Sequence, residues 1–502
     1  MNAAEPAKLT FLQQLRSFPG AFWVANSIEL IERFSFWGVR GIAALYITRP
    51  AEQGALGFTN TDKAMFFGVW AFIQCALPMF TGGFADRYGY RRSLMVAYVI
   101  NMVGYGLMAF THSWGGFMLA CCLVGTGTAI FKPPLHGTIA HCVNKSNSSV
   151  GWGAFYMVVN IGGFIGPLVL GGLRLLEWRY AFFAAASIIL LNMLITGLFL
   201  KDYSKEARAA GEATRKGPGK IFLESLAALK DMKLTAFLAI FTGFWFMFMQ
   251  LFDQLSVAID QWVDSNDVVR TVDALLQKVG IQSLSKFAAE GGQVNPEWII
   301  NVDAGAIIVL VLLISYITGK FHPIKAIIAG MFISCIGLLF CGTATTGWFC
   351  VLFVFLFALG EMACSPKFSE YVGLMAPPEK KAVYMGHSNI PFAVGWTIAN
   401  LVGGPIYTQI SDKITLARKY MVTHLQMDAQ SVEQMTVGQV MPALAEALNV
   451  SEAAATQMLR AQYHPEYFWY VCIGVGLLSS LGMVRYHFWL KAAAAKRAAA
   501  GS

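Results

Sequence analysis

The chain has 502 residues, of which 56% are hydrophobic and only 13% are charged, and its formal net charge is +8 at pH 7. Soluble domains carry about 25% charged residues, so this composition excludes an ordinary soluble enzyme or binding domain. The mean hydropathy of +0.54 instead predicts an integral, all-α membrane protein.

About twelve apolar runs follow one another along the chain, each near the ~20 residues that a helix needs to cross a bilayer. They fall at 20–47, 64–86, 93–112, 115–140, 151–175, 179–200, 234–262, 297–319, 323–343, 347–372, 384–408 and 467–490. The division into six and six predicts two helical bundles, as in transporters built from two similar halves. The domains are predicted as an N-terminal bundle 1–200, a linker 201–232, a C-terminal bundle 233–490 and a tail 491–502.

Basic residues mark one side of the predicted membrane protein. They concentrate in the linker, after the second span, before the eleventh span and in the tail, which all lie on the same side if the spans alternate. Because short cytoplasmic connections are enriched in lysine and arginine, both termini are predicted to be cytoplasmic, in a multi-pass protein of the cell membrane.

Two long connections, 263–296 and 409–466, lie on the opposite side and carry helical periodicity with capping signals. They are predicted to form short helices that act as a solvated cap, or alternatively as a substrate vestibule or partner-docking surface. The nine cysteines show no metal or disulfide spacing, and no nucleophile with a base or set of metal ligands occurs outside the spans. The sequence therefore predicts no enzyme, no metal site and no cofactor.

The first span carries four charged residues within the aromatic stretch ELIERFSFWGVR. At 3.6 residues per turn, Glu29, Arg33 and Arg40 fall within roughly 40° of one another, and Glu32 lies about 60° to the other side. A charge in the middle of a membrane-spanning helix costs at least ~2.5 kcal/mol, so four on one face predict a water-filled interior lined by functional groups. This pattern is typical of a membrane transporter.

Three further charged residues lie well inside apolar runs: Lys132 in the fourth span, Asp253 in the seventh and Glu361 in the tenth. With those of the first span they make four acids and three bases. The unpaired carboxylate can bind and release a proton as its surroundings alternate between wet and dry, which is the chemistry of a proton-coupled carrier. The alternative is that these charges form structural salt bridges between helices.

The connection between the second and third spans, GGFADRYGYRR, resembles the GxxxDRxGxRR signature of the major facilitator superfamily. Its glycines let helices approach closely, and its acid can meet a helix terminus or a basic neighbour. The resemblance implies the major facilitator fold and a gating role for Asp86 and Arg87, which would latch the two halves on the inner side.

Motifs in several spans together resemble one family of that superfamily, the proton-dependent oligopeptide transporters. ELIERFSFWG resembles their ExxERFxYYG signature, and GAFYMVVNIG resembles their fifth-helix pattern FYxxxNxG. The other matches are Lys132 with Pro133, the LFDQ around Asp253, and Glu361 with Ser365 and Pro366. The resemblance covers residues 29–408.

The resemblance implies roles in proton coupling and gating. The implied proton-coupling cluster consists of Glu29, Glu32, Arg33 and Lys132. Arg40 and Asp253 would pair across the two bundles and close the outer side.

The resemblance also implies a site for a small peptide. Arg40 and Lys132 would hold its carboxylate, Glu361 would receive its amino terminus, and Asn160 would bond its backbone. Tyr156 would line the same site, although polar residues beside glycines also join helices simply by packing. A zwitterionic ligand needs fixed charges of opposite sign on opposite bundles, so that its binding pulls the halves together.

The chain departs from the family pattern at four positions. Phe36 and Trp37 replace paired tyrosines, Ala76 stands where a second-helix tyrosine is usual, and Ser388 lies near the place of an eleventh-helix tryptophan. The leading prediction is a proton-coupled symporter of di- and tripeptides that acts as a monomer by alternating access. The alternatives are a symporter of another small zwitterionic or anionic solute, such as a peptide-like metabolite or nitrate, and a non-transporting membrane receptor.

Overall fold

The computed structural model describes residues 9–48, 54–58, 60–174, 176–202, 219, 223, 226–280, 283, 289, 290 and 292–500. The first half of this part of the chain is helical. Its helices are α1 (Phe11–Arg16), α2 (Gly20–Thr48), α3 (Asn60–Ala76), α4 (Pro78–Tyr88), α5 (Tyr90–Phe110), α6 (Trp114–Cys142), α7 (Ser148–Arg174) and α8 (Trp178–Phe199). Most of the predicted linker 201–232 lies outside the described residues.

The second half is also helical apart from one two-stranded hairpin. Its helices are α9 (Met232–Asp253), α10 (Leu255–Trp262), α11 (Asn266–Lys278), α12 (Pro296–Thr318), α13 (Pro323–Gly342), α14 (Gly347–Met375), α15 (Lys381–His387), α16 (Ile390–Ile398), α17 (Gly404–Ile410), α18 (Lys413–Thr423), α19 (Ala429–Gln434), α20 (Val437–Leu448), α21 (Glu452–Tyr463) and α22 (Tyr467–Ala500). The strands are β1 (Ala289–Glu290) and β2 (Gln293–Val294), which pair antiparallel.

The number of membrane-spanning segments agrees with the sequence prediction. Among the described residues, nine helices are long and apolar enough to cross a membrane, and the bent pair of α3 and α4 makes a tenth. Helix α2 has the length to cross, at 29 residues, but carries four charged residues in its middle. If α2 and the interrupted segment α15–α17 are counted as two further spans, the total equals the twelve that the sequence predicts.

Three predicted spans are broken rather than continuous. The second bends by 44° between α3 and α4, where Pro78 lacks the amide hydrogen that would continue the helix. The seventh ends at Asp253, and α10 follows as a separate short helix. The eleventh is interrupted before Pro391 and again by a π-helical turn at Ala399–Gly403. Such turns are frequent at functional sites.

The connection 409–466 forms its own small helical unit, which confirms the prediction of short helices there. Helices α18–α21 share a core whose centre is formed by Met421, Leu444 and Leu459, all fully buried. The connection 263–296 contains the predicted helix as α11, and also the hairpin, which its sequence did not indicate.

Glycines let α2 and α7 pack closely against each other at the charged face of α2. A Cβ atom added at Gly162 would lie 2.8 Å from the Cβ atom of Arg33, so only glycine fits this contact. One large aromatic and aliphatic core, which includes the fully buried Trp70 and Tyr105, runs through both halves. The charged residues described below are therefore held by closely packed helices.

Candidate functional site

The acids of α2 are joined by an arginine of the same helix. The Arg33 Nε atom lies 3.4 Å from Glu29 Oε1 and donates a hydrogen bond of 2.5 Å to Glu32 Oε2. All three side chains are buried, and Thr128 of α6 donates to Glu32 Oε1 at 3.5 Å. The helical spacing of these residues thus produces a compact cluster in which one guanidinium contacts two carboxylates.

Lys132 lies beside this cluster but does not contact it directly. Its side chain is half-buried, and its charge acts on both Glu29 and Glu32, yet it makes no ion pair within 4.0 Å in the described part of the chain. Helix α6 continues through Pro133. The Ala129 carbonyl, to which a proline at this position cannot donate, accepts a 2.9 Å hydrogen bond from Thr81 of α4 instead. The structure therefore places Arg33, rather than Lys132, between the two acids.

Arg40 contacts aromatic rings instead of a carboxylate. Its guanidinium carbon lies 3.5 Å from the centre of the Phe67 ring and 5.3 Å from that of Trp70, both on α3. Its charge acts on Asp253, but no ion pair within 4.0 Å joins the two among the described residues. The buried Arg40 Nη1 and Asp253 Oδ2 atoms both lack a hydrogen-bond partner there. The predicted pair of Arg40 and Asp253 is therefore not formed in the described structure.

Glu361 of α14 is joined to the other half of the molecule. Tyr156 of α7 donates a hydrogen bond to Glu361 Oε1, while Glu361 Oε2 has no partner among the described residues. Asn160, one turn further along α7, donates to the Tyr156 carbonyl at 2.9 Å. The structure thus brings together Glu361 and Tyr156, and it places Asn160 next to them.

Asp303 was missed by the sequence analysis. It lies on α12, is only 3% exposed, and its charge acts on Glu361. The signal was available, because Asp303 lies inside the apolar run 297–319, just as Glu361 lies inside its own run. It belongs to none of the motifs that identified the other positions.

Asp86, for which a gating role is predicted, connects the two halves at one end of the molecule. Its Oδ2 atom accepts a 3.0 Å hydrogen bond from the backbone N–H of Val383 in the first turn of α15, where amide groups lack helical partners. Its Oδ1 atom accepts from Tyr90 at 2.7 Å. Arg87 lies with its guanidinium carbon 5.2 Å from the centre of the Tyr88 ring. We call this end of the molecule the latch end.

Further contacts between the halves occur at the latch end. Lys381 donates a 2.8 Å hydrogen bond to the Ala140 carbonyl. Lys367 and Glu370 of α14, which the sequence analysis also missed, form a buried ion pair of 2.6 Å, and Ser148 of α7 donates to Glu370 at 2.5 Å. These contacts join the two halves at the latch end, whereas Arg40 and Asp253 form no ion pair with each other among the described residues.

Two of the four positions that depart from the family pattern have a packing role. Phe36 is buried, with the guanidinium carbon of Arg33 4.6 Å from its ring centre and the Trp70 ring 5.6 Å away. The Ser388 hydroxyl donates to the Met385 carbonyl at 2.6 Å. Phe36, which lacks the hydroxyl group of a tyrosine, therefore packs against Arg33 through an apolar ring.

Comparison with known proteins identifies relatives over part of the chain. Residues 28–264 match the family model of the Major Facilitator Superfamily. The chain is 30% identical over 197 residues to "Dipeptide and tripeptide permease A" of Enterobacter sp. (strain 638), a match that covers 38% of each protein. It is 31% identical over 183 residues to the permease of that name from Salmonella typhi, covering 36% of this chain and 35% of that protein. The matched region thus spans little more than a third of these relatives.

Solved structures resemble the chain over a greater length. The human organic anion transporter MFSD10 superposes with a TM-score of 0.58 at 13% identity, covering 92% of this chain and 99% of that one. A POT family transporter in complex with a thioalcohol-conjugated peptide superposes with a TM-score of 0.55 at 16% identity, covering 78% and 94% respectively. At these identities the likeness concerns the fold, which is that of a multi-pass membrane protein.

Proposed function

This chain has the fold of the major facilitator superfamily and resembles its proton-dependent oligopeptide transporters, and on that premise we propose that it is a proton-coupled symporter of di- and tripeptides. It transports rather than catalyses, and it needs no cofactor. It lies in the cell membrane with both termini in the cytoplasm, acts as a monomer, and moves its two six-helix bundles by alternating access.

One observation carries the assignment of a zwitterionic ligand. Unsatisfied groups of opposite charge lie on opposite halves: the buried Arg40 Nη1 on α2, and the buried Glu361 Oε2 on α14. A buried polar atom of a charged group that lacks a hydrogen-bond partner is costly, so a ligand that satisfies both atoms is favoured. A small peptide presents a carboxylate to Arg40 and Lys132 and an ammonium group to Glu361. Tyr156 and Asn160 line the site between them, and Asn160 bonds the peptide backbone.

Proton coupling is assigned to the cluster on α2. Arg33 shares its guanidinium between Glu29 and Glu32, and Lys132 adds a second positive charge nearby. A proton on either carboxylate weakens its attraction to Arg33, so protonation changes how the cluster holds α2 against α6. The cluster thereby links the proton to the position of the helices.

The two ends of the molecule are the gates. The latch end, with Asp86 and Arg87, is the cytoplasmic gate and is closed by the contacts described above. Arg40 and Asp253 form the outer gate, and their lack of an ion pair here is compatible with a gate that closes in another state. Closure of the outer gate brings them together when ligand and proton are bound.

Uptake by the purified protein in liposomes tests the proposal. With an imposed inward proton gradient, a dipeptide with free termini should accumulate above its external concentration, and collapse of the gradient should abolish that accumulation. Liposomes without protein provide the background. Absence of gradient-driven uptake of any di- or tripeptide from a varied panel would contradict the proposal.

A second candidate function is transport of another small zwitterionic or anionic solute. Phe36, Trp37 and Ala76 remove hydroxyl groups at positions where the family carries tyrosines, so the site is less polar towards a peptide. Including nitrate and small carboxylates in the same uptake panel decides between the two candidates. Uptake of an anion without uptake of peptides favours the second.

A further inference from the structure

Four basic side chains lie together near the ends of α12 and α22 and the start of α13. We call them the basic cluster, and they are His322, Lys325, His487 and Lys491. The ring centres of His322 and His487 are 5.7 Å apart. The Lys325 backbone N–H donates a 2.9 Å hydrogen bond to the His322 carbonyl, and Lys491 follows His487 by four residues, on the same face of α22. The contact between the two rings therefore brings all four groups close together.

The basic cluster lies at the latch end of the molecule. Tyr486, which precedes His487, donates a 3.0 Å hydrogen bond to the carbonyl of Lys233 in the first turn of α9. Asp231, the N-cap residue of α9, accepts a 3.1 Å hydrogen bond from Tyr384 of α15. Helix α15 is the one that meets the latch residue of the other half. The basic cluster thus shares the end that the proposed function assigns to the cytoplasm.

No acid pairs with the basic cluster in the part of the chain that the structure describes. None of the ion pairs there includes any of its four members. His322 faces Lys325 of its own turn and Lys491 of α22. It also faces Lys367 of α14, which already has an acidic partner on that helix. His487 faces the same two lysines of the cluster. Positive groups held together in this way repel one another, so an anion placed among them is favoured.

Exposed aromatic rings border the basic cluster. Phe321 precedes His322 and is 57% exposed. Phe488 is 63% exposed, and its ring centre lies 5.9 Å from that of His487. Trp489 is also exposed, and tryptophan is enriched at the level of the lipid headgroups. This surface therefore offers cations for a phosphate group and apolar rings for hydrocarbon chains.

We propose that the basic cluster binds the phosphate group of an anionic phospholipid, whose acyl chains lie along the exposed aromatic rings. The two lysines donate charge-assisted hydrogen bonds to the phosphate oxygens, and the two imidazoles add positive charge when they are protonated. A basic site near the cytoplasmic end of the spans suits such a headgroup. The site goes beyond the proposed function, because it does not depend on which solute the protein transports.

The histidines make the binding of this lipid dependent on pH. Partial burial and the neighbouring lysines lower the pKa of His322, whereas a phosphate bound beside the ring raises it. Binding of the lipid therefore takes up protons, so the affinity should be higher at about pH 6 than at about pH 8. The charge of a phosphodiester is constant over this range, so the change belongs to the protein.

The test is the binding of radiolabelled dioleoylphosphatidylglycerol to the purified full-length protein in detergent. Lys325→Gln and Lys491→Gln should each weaken binding about fivefold, as expected for one basic residue near an anionic headgroup. Lys496→Gln removes an exposed lysine of the same α22 that lies outside the cluster, and it should bind the lipid as wild type does. Phosphatidylcholine with the same acyl chains should bind more weakly than phosphatidylglycerol to the wild-type protein and equally to all variants.

The double variant His322→Gln with His487→Gln should lose the difference in affinity between the two pH values. An equal loss of affinity in Lys325→Gln and Lys496→Gln would show general attraction of anionic lipid to this end and would overturn the proposal. Displacement of the lipid by inorganic phosphate at a similar concentration would overturn it too, because the acyl chains would then contribute nothing. Peptide uptake does not enter this measurement, so its failure and a failure of the proposed function are distinguishable.

Discussion

The two halves of the molecule each bury a pair of neighbouring acids, but they compensate them differently. In the first half, Glu29 and Glu32 both contact Arg33. In the second half, Asp303 and Glu361 are buried on the neighbouring helices α12 and α14, and neither forms an ion pair with a cation among the described residues.

This difference determines what each pair can respond to. Two carboxylates with a built-in guanidinium remain stable when the site is empty, and their interactions change only when a proton arrives. Two carboxyl groups without a cation are completed only by a cation from outside. We infer that the first pair responds to protons and the second to the ligand.

Removing the built-in cation should have the largest effect, because it makes the first pair resemble the second. Arg33→Gln leaves Glu29 and Glu32 buried without a direct cation. Breaking such a buried pair typically costs about 3–5 kcal/mol in the free energy of unfolding. The variant should lose gradient-driven accumulation in liposomes and unfold at a lower temperature.

The matched control for this prediction is Lys132→Ala. Loss of the Lys132 charge should also abolish accumulation, since that charge acts on both acids. Its effect on the unfolding temperature should be smaller, because Lys132 makes no direct ion pair in the described residues. Accumulation at the wild-type level by Arg33→Gln would show that the cluster is merely a structural salt bridge.

The second prediction concerns the pair that lacks a cation. Glu361→Gln should weaken the binding of peptides with a free amino terminus by about tenfold or more, since a charge-assisted contact contributes about 1.5–3 kcal/mol. Amino-acetylated peptides should bind with nearly unchanged affinity. Dissociation constants for both ligand types are the measurement. An equal loss for both would mean that Glu361 does not recognise the amino group.

The sequence was sufficient to find the first pair but not the second. Glu29, Glu32 and Arg33 belong to one helix, so the helical period alone brings them together. Asp303 and Glu361 are 58 positions apart on different helices, and their proximity depends on how α12 packs against α14. No local sequence pattern predicts that packing. The position of Asp303 inside an apolar run nevertheless indicated a buried acid.

The breaks in the helices were likewise only partly predictable. Pro78 explains the bend in the second span, and prolines are visible in the sequence. The end of α9 at Asp253 has no such marker, and the apolar run continues through it. The contact of Arg40 with Phe67 joins two different helices, and the sequence indicated only another partner for Arg40, namely Asp253.

The proposed outer gate differs from the two acid pairs, because Arg40 and Asp253 are a cation and an acid that we expect to meet only when the gate closes. In wild-type protein, ligand at acidic pH should add a shorter component to the distance distribution between spin labels on the outer ends of α2 and α9. Arg40→Ala and Asp253→Ala should each remove it. Phe67→Leu, which removes the ring that holds Arg40, should increase it. Identical distributions in all variants would contradict the gate.

The smallest effect is expected for an acid that is satisfied by neutral donors. Asp264, which follows α10 in the connection to α11, accepts hydrogen bonds from the Gln293 side chain at 3.0 Å and the Asn266 backbone N–H at 3.1 Å. These bonds lower the pKa of Asp264 below its ordinary value. Because the pKa is lower in the folded state, ionised Asp264 adds stability above its unfolded pKa of about 3.9, and this contribution is lost as the pH falls through the folded value.

Asp264→Asn should therefore lower the unfolding temperature slightly at pH 7, and the difference from wild type should become smaller as the pH falls below the unfolded pKa. The measurement is the thermal unfolding temperature of both proteins at pH 7 and at about pH 3, a pH that lies below the unfolded pKa of Asp264. Glu446→Gln, which changes an exposed acid of α20, is the control and should show no such pH dependence. A difference that persists in acid would mean that side-chain shape, rather than charge, matters at Asp264. Loss of the carboxylate that neutral donors stabilise at Asp264 should thus affect stability alone. Loss of the Arg33 guanidinium should affect transport as well as stability.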